Sequence, residues 1–309
     1  MKKLVINIVV FLIIYSMLHV LVVCMFGKNL VYYRIGSYGH MFSRIKEIPS
    51  QNNPDVLFLG SSRSYRGFDS RIFWEHGITT FNLGSSSQTP KQTEVLLKKY
   101  LDEINPKMIL FEVYPGVFQN DGIESTTDLI SNDHIDVEIC KLAIKSGNVK
   151  LINTLIYGLY QEYVCNIRGA FVEDRLKEGD IYISGGFVEK LDYNPFMSDS
   201  VSSDKAIPIK IRPDQLRAFK RCVNIIKSNG IPYILVIAPS PKSINQKYSN
   251  LDEFECVVSS YGRFVDFNTI IQLEDSCFYD ATHLTQIGVR IFNESLIQML
   301  DTIELKEYE

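Results

Sequence analysis

The chain opens on a run with no charged position. From Leu4 to Phe26 it reads LVINIVVFLIIYSMLHVLVVCMF, 23 residues without an acidic or basic side chain when His19 is neutral. As a helix this run rises about 35 Å, enough to cross a hydrocarbon core of roughly 30 Å. A cleaved signal peptide usually has an apolar region of only about 7–15 residues and then small residues at the cut. Here the run is longer and no A-x-A-like site follows. Cys24 suggests a lipid-modified cysteine, but Val23 stands where a small residue would be needed. A buried core helix is the remaining alternative. The run is read as an uncleaved transmembrane anchor within residues 1–27. Lys2 and Lys3 flank its start, Lys28 and Arg34 its end. That slight bias favours a cytoplasmic N-terminus, with nearly all the chain on the outer side.

After a juxtamembrane stretch, residues 28–53, short apolar runs alternate with amphipathic ones. DVLFL, TTFNL, KMILFEVYP, IPYILVIAP and RFVDF read as five buried strands. Between them SRIFWEHG fits a short helix closed by Gly77. TPKQTEVLLKKYLDEINP has Thr89 as N-cap, Pro90 at the first helical position and a stop at Pro106. Its Leu96, Leu97, Tyr100, Leu101 and Ile104 share one face. RPDQLRAFKRCVNIIKSNG carries Leu216, Phe219, Val223 and Ile226 at helical spacing, with Gly230 as the stop. FECVVSSYG is a short helix. The last helix, about Gln286 to Leu305, aligns Val289, Phe292, Leu296, Leu300 and Ile303. Strands alternating with helices imply βαβ units and a parallel sheet covered on both faces. The fold expected for 54–309 is α/β, a flavodoxin-like doubly wound sheet. The rhythm breaks between about Gly116 and Ile211, a polar, glycine-bearing stretch (GDIYISGG, SDSVSSDK) with one apolar segment, LINTLIYGLY. It reads as a mostly helical insertion or lid over the C-terminal edge of the sheet, where open α/β folds bind ligands.

Composition narrows the function. A net charge of −4 and no basic run exclude a nucleic-acid footprint. The six cysteines show no C-x-x-C and no zinc-like Cys/His spacing, so neither a metal nor a cofactor is expected. They are too few for a disulfide scaffold, and most read as buried free thiols.

The candidate chemistry begins in DVLFLGSSRSYRGFDS, Asp55 to Ser70. By itself it is a polar turn after a buried strand. A serine nucleophile needs a base within hydrogen-bond reach and an acceptor orienting that base. Of five histidines, His19 lies in the anchor, His40 near the membrane, His76 at a helix end and His134 in a solvated loop. The fifth is in YDATHLTQIGV, where Asp280 precedes His283 by three residues just before the last helix. An aspartate so placed can accept from imidazole Nδ1–H and leave Nε2 free to take a proton. The plain alternative is a capping aspartate and a packed histidine.

Taken together, a Gly-x-Ser after the first core strand and an Asp-x-x-His-Leu before the last helix resemble the SGNH (GDSL-type) hydrolase superfamily, over roughly residues 54–120 and 212–305. FLGSS is similar to its first block, which implies Ser62 as nucleophile. YDATHLTQIG is similar to its last, which implies Asp280 and His283 as acid and base. FNLGSSSQTP resembles the second block, whose backbone helps form the oxyanion hole. Counting from Asn82, the usual glycine donor falls at Ser87, or at Gly84 if the turn is shorter. The third block, Gly-x-Asn-Asp, is missing, and FEVYPGVF stands there instead. Arg63, Arg66 and Gln88 are candidates to substitute for its donor. An α/β-hydrolase elbow would need G-x-S-x-G, and Ser64 breaks that pattern. The resemblance extends to the membrane-anchored cell-envelope branch. It implies acyl-group chemistry on a polysaccharide or teichoic-acid-like polymer, beside a multi-spanning acyltransferase partner. The alternative is a non-catalytic module that binds glycan or scaffolds an envelope complex.

Overall fold

A computed structural model describes residues 1–27, 31–36, 38–194, 196 and 206–307. Lys28, the Ser198–Lys205 stretch and the Ile303 side chain lie outside the described residues. The apolar N-terminal run forms α1 (Lys2–Phe26), whose most apolar 18 residues have a mean hydropathy of 2.8 and almost no burial. It is long and apolar enough to cross a membrane. Only its last two turns meet protein. Val23 is buried, and His19 Nε2 lies 3.0 Å from Asn153 Oδ1.

After α2 (Met41–Glu47) come β1 (Val56–Leu59), α3 (Ser62–Tyr65), α4 (Ser70–Glu75), β2 (Thr80–Asn82), α5 (Pro90–Ile104) and β3 (Met108–Glu112). Five helices follow: α6 (Pro115–Gln119), α7 (Ile123–Asn132), α8 (Val137–Lys145), α9 (Val149–Tyr163) and α10 (Ile167–Ala170). Then come β4 (Leu176–Lys177), β5 (Asp180–Ile183) and β6 (Phe187–Lys190). The alternation resumes with α11 (Pro213–Ser228), β7 (Tyr233–Ile237), α12 (Lys242–Asn245), α13 (Leu251–Ser259), β8 (Phe264–Asp266), α14 (Phe267–Ile270) and α15 (Gln286–Glu307).

The five expected strands pair in parallel in the order β2-β1-β3-β7-β8. Counted among themselves this is 2-1-3-4-5, the flavodoxin-like doubly wound order, with its switch point between β1 and β3. Period-two alternation sorts each strand between two cores. Leu57, Leu59, Ile109, Phe111, Leu235 and Ile237 pack with α5, α11 and the α7–α9 group. Val56, Phe58, Leu110, Ile234 and Val236 pack with α4 and α15. Thr89 and Gln92 cap α5 reciprocally behind Pro90, and Asn105 ends it in the left-handed region.

The 116–211 stretch is mostly helical, as expected, through α6–α10, and after them a small antiparallel sheet ordered β4-β5-β6 is added around the GDIYISGG segment. Gly179, Gly185 and Gly186 take φ of 77°, 89° and 86°, the left-handed backbone that tight turns require. This sheet reaches the C-terminal edge of the core, where Asn82 N–H donates to Gly185 O at 2.9 Å. One expectation is corrected: most cysteines are not buried. Cys222 and Cys277 are, but Cys24 and Cys140 are half-buried and Cys165 and Cys256 exposed, Cys165 in the bend after α9.

Candidate active site

Ser62 lies where a buried strand is forced into a helix at the sheet's switch point. β1 ends at Leu59, and Gly60 takes φ 145°. A Cβ there would stand 2.9 Å from Glu112 Cβ and 3.0 Å from Ser64 Cβ, so the turn requires glycine. Ser61 caps the one-turn helix α3, its Oγ accepting from Arg63 N–H. Ser62 is the first helical residue, and its N–H has no protein acceptor among the described residues. A helix N-terminus leaves such donors free.

The imidazole that faces Ser62 arrives from the far end of the chain. The loop before α15 is wound around Asp280, whose Oδ1 accepts from Thr282 N–H at 2.7 Å and His283 N–H at 2.8 Å. Asp280 Oδ2 lies 2.8 Å from His283 Nδ1, and His283 Nε2 lies 2.8 Å from Ser62 Oγ. Donation from Nδ1–H to the carboxylate assigns the tautomer in which Nε2 accepts the serine proton. Burial would raise the Asp280 carboxyl, but hydrogen bonds from His283 and Thr282 outweigh it and hold it at about 2. Burial pushes the His283 imidazole below its ordinary 6.5. Asp280 opposes that shift, while Arg66 and Arg63 add to it. A neutral imidazole at neutral pH is what a general base needs. Tyr279 stacks on it, ring centroids 5.5 Å apart.

The other sequence-derived residues take different places. Arg63 is no oxyanion donor, because its buried guanidinium is spent on neighbours. Nε donates to Glu112 Oε1 at 2.9 Å and Nη1 to Thr282 O at 2.9 Å. Nη2 donates to the carbonyls of Ala238 and Pro239. Arg66 is likewise occupied, paired with both carboxylate oxygens of Asp180 at 3.0 and 2.6 Å. Gly84 is excluded as a backbone donor, since its N–H is held by Asn82 Oδ1 at 2.9 Å. Asn82 does not face substrate. Wholly buried, it bonds Ser64 O through Nδ2 and thereby ties the second block to α3. Gly84 allows this close approach, since a Cβ there would sit 3.0 Å from Gly60 O and Ser61 O. Gln88 is buried and turned toward Thr93 Oγ1, 2.9 Å away, so it offers substrate no amide.

Ser87 takes a left-handed backbone, φ 49°. It sits in a turn closed by Gln88 N–H on Ser85 O. The N–H groups of Ser86 and Ser87, like that of Ser62, have no protein acceptor among the described residues.

Glu112 and Thr282 escaped the sequence reading. Glu112 ends β3 where the third block would begin, wholly buried beneath Arg63. Burial raises its carboxyl, while Arg63 and Ser61 oppose that. A glutamate inside a buried strand is the one sequence signal that pointed to it. Thr282 had none beyond lying between Asp280 and His283.

Neither a protein-family signature nor a curated protein sequence matches the chain. Solved structures do. A Bacteroides fragilis protein described as an acylhydrolase matches at a TM-score of 0.41 and 12% identity, covering 86% of this chain and 98% of that one. A GDSL-like lipase from Bacteroides thetaiotaomicron matches at 0.41 and 11%, covering 86% and 100%.

Proposed function

We propose that this chain is a membrane-anchored serine acyl esterase or O-acyltransferase acting on a cell-envelope polysaccharide or similar polymer, its N-terminus cytoplasmic and its α/β unit outside. The observation that carries the reading is the single relay Asp280–His283–Ser62, with both contacts at 2.8 Å. His283 Nε2 takes the Ser62 proton as Oγ bonds the acyl carbonyl carbon. The resulting oxyanion faces the open N–H of Ser62 and of the Ser86–Ser87 turn. The carbonyl re-forms, the bond to the leaving oxygen or sulfur breaks, and His283 returns the proton to that atom. A sugar hydroxyl or water then repeats the sequence on the acyl-serine, and free Ser62 is regenerated. Asp280 stays ionised and stabilises the imidazolium at each stage.

A fluorophosphonate probe tests this on the full-length protein in detergent. Labelling is expected for the wild type, absent for Ser62→Ala and strongly reduced for His283→Ala, and turnover of an activated acetyl ester should drop by about 10⁶-fold for Ser62→Ala. A folded wild type that neither labels nor turns over ester sinks the enzyme reading in favour of a glycan-binding module, which the absent third block favours. Acetate release unaffected by added glycan identifies a hydrolase rather than a transferase.

A further inference from the structure

The last two turns of α1 rest on a single helix of the α/β unit, α9. His19 Nε2 meets Asn153 Oδ1 at 3.0 Å, and Gly27 comes so near Tyr157 that a Cβ would stand 2.5 Å from its ring. Val23, between them on the same face of α1, is wholly buried. The chain then runs back along the same helix. Tyr32 N–H donates to Thr154 Oγ1 at 3.1 Å, and the Tyr33 ring packs edge-on against Tyr157, centroids 5.5 Å apart. Helical spacing puts Val149, Asn153, Ile156, Tyr157, Tyr160 and Val164 in one uncharged stripe about 100° wide, centred on the residue that α1 touches. Leu151 and Leu155 point the other way, into the core. Both ends of the stripe are bare, Val149 being 65% and Val164 70% exposed.

We propose that this stripe of α9 is a membrane-seating surface, its bare ends lying in the outer-leaflet interface on either side of α1, with lipid as the partner. The inference rests on reading α1 as a membrane span and adds a second contact to that anchor. Depth is what singles out lipid. His19 lies seven residues before Phe26, so Asn153 stands beside a point about 10 Å inside the end of the apolar run. Helices that lie in a membrane interface bury their apolar faces by about 5–10 Å. The bilayer that surrounds those turns of α1 therefore also meets whatever flanks them on α9. The side chains agree with that level. Tyr32, Tyr33, Tyr157 and Tyr160 gather at the end of the anchor, where amphipathic rings sit at the headgroups. The two charged side chains of α9 fit as well. Lys150, at the edge of the stripe, donates to Tyr32 OH with its ammonium 4.8 Å from that ring's centroid, and a lysine so placed can extend to headgroup phosphates. Glu162 is turned away, accepting from Ile135 N–H at 3.1 Å and pairing with Arg168 Nε at 3.1 Å. The seat also reaches the active-site turn. Gly158 lets α9 approach α7, since a Cβ there would stand 2.9 Å from Ile130 Cγ2, and Glu124 of α7 accepts from Ser87 Oγ at 2.9 Å. Lipid contact on α9 thereby sets the height of the Ser86–Ser87 turn over the bilayer.

The test keeps the full chain in vesicles and needs no turnover. Trp74, the one tryptophan of the chain, is exposed on α4 in the helix layer across the sheet and serves as the distant reference. Trp74→Phe/Val149→Trp and Trp74→Phe/Val164→Trp place the reporter at either end of the stripe, on side chains too exposed for the change to disturb packing. Each protein is reconstituted in phosphatidylcholine vesicles with and without tail-brominated phosphatidylcholine, and flotation reports whether α1 holds it there. Brominated lipid is expected to quench both stripe reporters at least about twofold and to leave Trp74 unchanged. Flotation with either stripe reporter no more quenched than Trp74 overturns the seat and leaves the anchor standing. A reporter that is then blue-shifted but unquenched identifies a second copy of the chain, not lipid, as the cover. Failure to float overturns seat and anchor together.

Discussion

The Arg63–Glu112 pair offers the sharpest test of how the site is held. Both side chains are buried, at 2% and 0% exposure, and the guanidinium spans the ends of β3 and β7 and the loop between Asp280 and His283. Arg63→Met strands the Glu112 carboxylate and removes the donor of three carbonyls. Breaking a buried pair from one side costs about 3–5 kcal/mol, and orphaned acceptors add to it. A loss of at least about 4 kcal/mol, at about 2–4 °C per kcal/mol for a domain this size, lowers Tm by about 8–16 °C. The double variant Arg63→Met/Glu112→Leu strands no charge and should recover most of that, leaving a deficit of about 1–3 kcal/mol for carbonyls without a donor. Activity should not recover with it. Arg63 Nη1 holds Thr282 O, and releasing that bond lets His283 drift from Ser62. A displacement near 1 Å costs about 10²-fold. The assays are a circular-dichroism melt and the fluorophosphonate labelling rate, both on full-length protein in detergent. A single variant melting within about 2 °C of wild type refutes the stability argument. A double variant labelling at the wild-type rate refutes the positioning argument.

Three further outcomes follow from the same geometry. Only neutral imidazole accepts the Ser62 proton, so kcat/KM is complete above the His283 pKa and lost as pH falls through it. Burial sets that pKa below 6.5, so the acid limb should have its midpoint below 6.5 in a stopped-time ester assay. In Asp280→Asn the opposing carboxylate is gone, so the midpoint should move lower still while kcat falls about 10⁴-fold; a midpoint above 6.5 in the wild type contradicts the assignment. Gly84→Ala places a Cβ 3.0 Å from two backbone oxygens of the nucleophile turn and should cost about 1–3 kcal/mol in a thermal melt, with slower labelling. For the membrane reading, the full chain should resist alkaline carbonate extraction, and protease added outside intact cells should digest the α/β unit; protection there would reverse the orientation.

What was legible in the sequence was whatever is written over a few neighbouring positions. Leu57 and Leu59 against Val56 and Phe58 declare a two-faced strand, and Thr89-Pro90 declares a helix start. Asp280 and His283 declare a base because three residues in one turn suffice to make their contact. The failures share a cause of the opposite kind. Arg63, beside the nucleophile, invites the reading of an anion binder, since a cation next to a reactive serine is the cheapest inference from adjacency. Its actual acceptors come from residues 112, 238, 239 and 282, which only the parallel stacking of β1, β3 and β7 brings to one point. Gly84 was misread for the same reason. Its N–H looks available until Asn82, two residues earlier, is seen to be pinned by Ser64 across the β1–β2 junction and to hold that N–H itself. The β4–β6 sheet failed differently, because its strands are two to four residues long, too short for a period to show, and the glycines that turn them look in sequence like mere polarity. Contacts made within one turn, such as Asp280 to His283, are therefore announced by local motifs. The side chains that hold the turns answer to the topology: Asn82 ties the end of β2 to α3, and Arg63 ties α3 to β3, β7 and the loop before α15. In the proposed mechanism the oxyanion donors are backbone N–H groups of these turns, so their aim depends on Asn82 and Arg63.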